Sequence, residues 1–142
     1  MSTLFLLDTN IISDMMRETT GRASQRFNAR ALQGGDLKWC TSVVVQCELD
    51  FGLLKRPNER LTRAYDRIVP LLEVLPLTPD VAEHYARLRT QLETMGQPIG
   101  PNDALIAAHA LALDATLVSG DAEFLRVPGL KVENWLAAEF PS

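Results

Sequence analysis

Cysteine is scarce in this chain. Cys40 and Cys47 are the only two, seven positions apart and without a metal-type Cys-x-x-Cys spacing. They read as small buried apolar residues, one on a strand and the other on the helix that follows. Histidine is equally scarce. His84 and His109 both fall in helical patterns, and no His/Cys cluster exists to hold zinc. Aromatic residues make up 6% of the chain. Phe5, Phe27, Trp39, Phe51, Tyr65 and Tyr85 stand mostly at core-like spacing rather than in a run that would stack on bases. No apolar stretch approaches the ~20 residues that span a bilayer. The N-terminal end has no basic region, and its apolar run Leu4–Leu7 stops at Asp8, so neither a signal peptide nor a membrane anchor is expected there and a cytoplasmic protein is. Repeats, linkers and low-complexity segments are absent, so a single domain over residues 1–142 is expected.

What is present is enough apolar sequence for a core, 46% of the 142 residues, with 23% charged. The net charge of −4 argues against a polyanionic partner until its distribution is considered. Arg17, Arg22, Arg26, Arg30 and Lys38 face only Glu18 and Asp36 within residues 17–38. Lys55, Arg56, Arg60, Arg63 and Arg67 face only Glu59 and Asp66 within residues 55–67. All basic residues except Lys38, Lys55 and Lys131 are arginine, whose planar fork grips phosphate by two bonds.

The pattern along the chain alternates strand and helix. Leu4–Asp8 has strand length, and Thr9-Asn10 starts a helix to about Arg17. A second helix covers roughly Ala23–Gln33 and ends at Gly34-Gly35. Trp39–Val43 reads as a strand, followed by a helix through Glu48 to about Lys55. Asn58 caps a helix reaching Leu72, with Pro70 disturbing its end. Val74–Leu77 is a short strand, and Thr78-Pro79-Asp80 opens a helix that stops at Gly96. A helix over Asn102–Leu113, a buried strand Ala115–Ser119 and a last strand Leu130–Val132 complete the chain. This order predicts an α/β fold, a parallel sheet covered on both faces. Ligands of such sheets bind beyond the carboxyl ends of the strands.

Four carboxylates stand where strands give way to helices: Asp8, Glu48, Asp103 and Asp121. Each adjoins apolar sequence, where an unpaired charge is costly. Gathered at one point they would repel unless a cation held them, and an all-oxygen set suits Mg²⁺ or Mn²⁺. Asp8, Asp103 and Asp121 are the candidate ligands. Glu48 would act through water or as a general base. Thr9, Asn10 and Ser119 are placed to orient these groups. The plainer account makes each acid a helix cap or turn residue, which serves for any one of them but not for four in this arrangement.

The run Gly-Pro-Asn-Asp-Ala-Leu-Ile-Ala-Ala-His-Ala-Leu-Ala-Leu-Asp-Ala-Thr-Leu-Val-Ser from Gly100 resembles the third-acid segment of PIN-domain nucleases, and within them the VapC ribonuclease toxins. Leu-Leu-Asp-Thr-Asn at the start, Thr-Ser-Val-Val-Val-Gln-Cys-Glu-Leu-Asp-Phe-Gly around Glu48, and Asp-Ala-Glu-Phe-Leu-Arg-Val-Pro-Gly-Leu near the end agree in order and spacing. The resemblance implies a three-layer α/β/α fold with a central parallel sheet of four or five strands. It implies a Mg²⁺- or Mn²⁺-dependent endoribonuclease, a homodimer and a VapB-type antitoxin partner. The resemblance maps Asp8, Glu48 and Asp103 onto the family's first three acidic positions and Asp121 onto the fourth, where Glu123 competes; Ser119 stands where the family often has Thr, which keeps the hydroxyl.

Arg22, Arg26 and Arg30 form one helical stripe, and Arg56, Arg60, Arg63 and Arg67 another. One stripe, together with Arg17, is expected to line the approach to the acids and hold RNA phosphates; Arg17, Arg22 and Arg26 are the candidates. Competing readings are a catalytically silent module of the same fold that binds RNA or protein, and a DNA-directed nuclease. A haloacid-dehalogenase-type phosphatase would want a second Asp two residues after the first, and position 10 is Asn.

Overall fold

The computed structural model describes residues 3–138. Strand β1 (Thr3–Leu7) turns at Asp8 into helix α1 (Thr9–Arg17). Ile11, Ile12, Met15 and Met16 make the buried face of α1, while Thr9, Ser13 and Arg17 repeat every four residues on another. Helix α2 (Arg22–Gln33) ends at Gly34, whose φ of 71° lies in the region glycine adopts without steric cost. Strand β2 (Leu37–Ser42) leads into α3 (Val43–Lys55), where the Ser42 hydroxyl accepts the Val44 N–H at 3.1 Å. Helix α4 (Glu59–Ile68) is capped by Asn58, which accepts from Leu61 N–H at 2.9 Å. The expected extension to Leu72 fails at Pro70: the helix tightens into a 3₁₀ turn over Val69–Leu71. Strand β3 (Glu73–Leu75), helix α5 (Asp80–Thr94), helix α6 (Pro101–Ala112), strand β4 (Thr116–Val118), a 3₁₀ turn over Ala122–Arg126 and strand β5 (Lys131–Glu133) follow.

All four strand pairings are parallel, in the order β3-β2-β1-β4-β5. The sheet therefore grows outward in both directions from the β1/β4 pair. That is the topological switch point, where helices leaving neighbouring strands go to opposite faces and open a crevice at the carboxyl edge. The ladder carries two chemistry-bearing residues to that edge. Asp8 N–H donates to Val118 C=O at 2.9 Å, and Ser119 N–H to Glu133 C=O at 2.9 Å.

Phe5 and Trp39 are register partners and stack at 5.1 Å between centroids. Phe27 of α2 meets Trp39 at 4.8 Å, and Trp135 closes the group 5.9 Å from Trp39. Such pairs add ~0.5–1.5 kcal/mol each beyond their buried area. Leu6, Cys40 and Leu117 pair in register and, by strand alternation, face the opposite layer. Cys40 is buried as expected, but Cys47 is exposed. Phe51, at core-like spacing in the sequence, is 64% exposed, and Leu54 on the same helix is 83% exposed. No helix among the described residues is long and apolar enough to cross a membrane.

Candidate metal centre

Asp8 occupies the N-cap position of α1, with φ −81° and ψ 167°, yet its side chain makes no capping bond. The carboxylate turns instead into the crevice and is 4% exposed. Its Oδ2 accepts from the Ser119 hydroxyl at 2.8 Å and from the Asn10 amide at 3.4 Å. Asn10 also donates to Ser119 Oγ at 3.3 Å and accepts Gly120 N–H at 3.0 Å, while Asp121 N–H donates to Ser119 Oγ at 3.0 Å. One small network thus ties the end of β1 to the end of β4 through a single oxygen of Asp8.

Glu48 lies on α3, six residues after the Ser42 cap, and its Oε1 accepts the Thr9 hydroxyl at 2.7 Å. Asp103 sits in the first turn of α6, where the helix dipole favours an anion. Asp121 caps the 3₁₀ turn, accepting Glu123 N–H at 2.9 Å through Oδ1, so the capping account holds for this acid. Asp8, Glu48, Asp103 and Asp121 line one open cleft of about 360 Å³ together with Thr9, Asn10, Ser13 and Arg17. Carboxylate oxygens of Asp103, Asp121 and Glu123 lie within 4.8 Å of one another. Glu123 therefore joins Asp121 beside Asp103 instead of replacing it.

The electrostatics record this crowding. Burial, then the charges of Asp121, Asp8, Glu123 and Glu48, push the Asp103 carboxyl up to about 6. Burial also raises Asp8, against the lowering effect of the Ser119 hydrogen bond. Arg17 is the single basic residue lining the cleft, and no ion pair involves it among the described residues. An all-oxygen donor set, crowded enough to resist its own ionisation, fits a hard divalent cation.

Two features escape a reading of the sequence. Ser13 lines the cleft, and its signal is the Thr9–Ser13–Arg17 spacing of four. His109, 1% exposed, is a brace: Nδ1 meets Ser42 Oγ at 2.9 Å, and the ring also bonds the Pro76 carbonyl. Ser42 caps the helix of Glu48, and His109 rides the helix of Asp103. One buried imidazole therefore joins the two elements that present those acids.

The arginine expectation needs correction. Arg22 Nη1 donates to Leu136 C=O at 3.2 Å, and Arg26 Nη1 to the carbonyls of Trp135 and Ala137 at 2.8 and 3.0 Å. Arg30 pairs with Glu133 at 3.0 Å. The α2 stripe faces the segment after β5 because Phe27, on the same helix, is drawn to Trp39 and Trp135. Arg17 alone of the three candidates reaches the cleft.

A parallel sheet with a carboxylate cleft at its switch point is the class of architecture that PIN domains have. The PIN domain model matches residues 5–130, and the chain belongs to that family. Its relatives there are VapC nucleases. It is 34% identical over 134 residues to ribonuclease VapC2 of Rickettsia felis, covering 93% of this chain and 98% of that protein. It is 35% identical over 133 residues to the tRNA(fMet)-specific endonuclease VapC of Shigella flexneri, covering 92% and 97%. Among solved structures, VapBC2 of Rickettsia felis bound to a promoter DNA fragment matches with a TM-score of 0.85 at 32% identity, covering 94% of this chain and 99% of that one. DNA-bound VapBC of Salmonella typhimurium matches with a TM-score of 0.80 at 31% identity, covering 95% and 99%. The expected α/β fold with a central parallel sheet is thus borne out, with five strands. PIN-domain nucleases are generally dependent on a divalent metal.

Proposed function

We propose that this chain is a metal-dependent endoribonuclease, the toxin of a type II toxin–antitoxin pair, acting as one PIN unit. Transfer RNA is the first candidate substrate, since a relative 35% identical is named for cleaving initiator tRNA. The observation that supports this reading most is the convergence of Asp8, Glu48, Asp103 and Asp121 on one cleft.

In this reading Asp8, Asp103 and Asp121, with Glu123 beside them, hold Mg²⁺ or Mn²⁺. A bound divalent ion shields the charge of a phosphodiester and lowers the pKa of water. The chain's own groups do the rest. Ser119 and Asn10 fix the direction of the Asp8 carboxylate. Thr9 holds Oε1 of Glu48, leaving Oε2 to orient the attacking water and take its proton.

The cleft also continues into an apolar groove of about 230 Å³ between α1, α3 and α4, walled by Met16, Leu49, Leu53 and Leu61. The groove suits an apolar tail of a VapB-type antitoxin, with a basic side chain reaching the carboxylates. Phe51 and Leu54, exposed on α3, offer apolar surface to a second copy in a homodimer.

The test is expression of the chain and its Asp103→Asn form without an antitoxin, followed by assay of cellular RNA with Mg²⁺, Mn²⁺ or EDTA. Growth arrest and RNA cleavage by the parent alone, abolished by EDTA, are expected. Equal toxicity of both forms would point to binding without catalysis and overturn the reading.

A further inference from the structure

The acidic cleft repels the substrate class proposed for it, and so does the net charge of −4. A polyanion has to be held by something at the border of the cleft. We propose that Arg17, Arg56 and Arg60 form a phosphate-binding rim on the α1/α3/α4 side of the cleft, a reading that rests on RNA being the substrate.

Three elements bring these residues together. Arg17, in the last turn of α1, lines both the acidic cleft and the adjoining groove. Arg56, the residue that ends α3, lines the same groove. Arg60, in the first turn of α4, donates from Nη2 to the Arg17 carbonyl at 3.0 Å. All three are exposed, and among the described residues none takes part in an ion pair. The acid next to Arg60 in sequence, Glu59, reaches Arg63 at 3.8 Å instead. The other arginines lie away from the cleft: Arg22, Arg26 and Arg126 donate to backbone carbonyls elsewhere, and Arg67 lines a separate pocket beside Met15 and Phe27. Arg87 and Arg89 pair with Glu83 and Glu93, and Arg30 pairs with Glu133.

These three exposed guanidinium groups, outside any ion pair among the described residues, thus gather on the side of the cleft where Arg17 and Arg56 share the groove with Glu48. A scissile phosphate seated over the acids would place the neighbouring phosphates on one side over this rim, where bidentate bonds can form. The rim would supply the salt-dependent part of RNA binding and leave base choice to other groups.

The test uses the full chain with Asp103→Asn to prevent cleavage, and an end-labelled initiator tRNA transcript followed by fluorescence anisotropy across a KCl series. In that background, Arg17→Gln, Arg56→Gln and Arg60→Gln together should flatten the slope of log affinity against log salt by about 2, at ~0.7–0.9 for each phosphate no longer neutralised. Affinity at moderate salt should fall roughly 10- to 100-fold. The three Lys replacements, which keep the charge, should restore most of the slope and so separate removal of charge from a failure to fold. Arg87→Gln should leave the slope unchanged. An unchanged slope in the triple Gln variant overturns the rim. So does an unchanged slope accompanied by weaker binding of a purified antitoxin, which would make this edge a protein interface. RNA binding that depends on the rim, in a parent that never cleaves, would sink the nuclease reading and leave the rim standing. Cleavage by the parent with binding indifferent to the rim would do the reverse.

Discussion

Thr9 donates its hydroxyl to Glu48 Oε1 at 2.7 Å, joining the first turn of α1 to the middle of α3. The bond fixes one carboxylate oxygen and leaves the other to the cleft. Thr9→Val keeps the shape and removes the donor. Cleavage should slow by about 10-fold, as for loss of other groups that orient a site, with little change in thermal midpoint. Thr9→Ser should retain most of the rate. Single-turnover cleavage of the tRNA probe measures both.

Ser119 is the hub between Asp8 and Asp121, donating to one carboxylate and accepting the backbone N–H of the other residue. Ser119→Ala leaves Asp8 Oδ2 with the weaker Asn10 bond and raises its carboxyl further. Manganese affinity, read by calorimetry, should drop about 10- to 100-fold. Ser119→Thr preserves the hydroxyl and should bind the ion nearly as the parent does.

Burial and neighbouring carboxylates push Asp103 up to about 6, above the value it has in an unfolded chain. Across that interval the folded protein holds the proton more tightly. Its stabilising contribution is complete below the unfolded value and is lost as pH rises through about 6. The metal-free protein therefore carries a penalty at about pH 7.5. Solvent screening of a partly exposed carboxylate limits it to ~1–2 kcal/mol. In EDTA, Asp103→Asn should melt a few degrees above the parent at about pH 7.5, and the difference should narrow on acidification and close only below the unfolded value of 3.8. A parent that melts higher than the variant at the upper pH without metal would contradict the crowding of the acids.

His109 holds Ser42 and Pro76 from inside the core. Burial lowers its pKa, so the neutral ring is the folded form, and stability from this group falls as pH drops through the imidazole range. His109→Ala leaves a cavity and takes one partner each from the Ser42 hydroxyl, which keeps Val44 N–H, and the Pro76 carbonyl. It should cost about 2–4 kcal/mol in denaturant unfolding. His109→Asn, which can still face Ser42, should cost less.

Much of the site can be read along the chain because its acids mark boundaries. Asp8 ends an apolar run of strand length, and Asp103 follows the Gly-Pro loop that starts α6. Asn58 and the Pro70 disturbance are legible for the same reason, since each acts on its own backbone. The arginine stripes are not. Their spacing shows that each shares a helix face, but which face meets the cleft depends on how Phe27 packs against Trp39 and Trp135, far away in sequence. Helix α3 misleads for a different reason. Its apolar residues run nearly all the way round, so periodicity gives no outward side, and Cys47, Phe51 and Leu54 emerge on the surface. The short edge strands β3 and β5 fall a residue or two from their expected places because their neighbours' registers, not their own sequences, set their limits.

The most direct measurement is the anomalous difference map of a crystal grown with manganese. The expected result is a peak in the cleft with oxygens of Asp8, Asp103 and Asp121 around it, absent from Asp103→Asn crystals grown the same way. Well-ordered carboxylates with no ion between them at saturating manganese, or Asp8 and Asp103 facing different regions, would contradict the account.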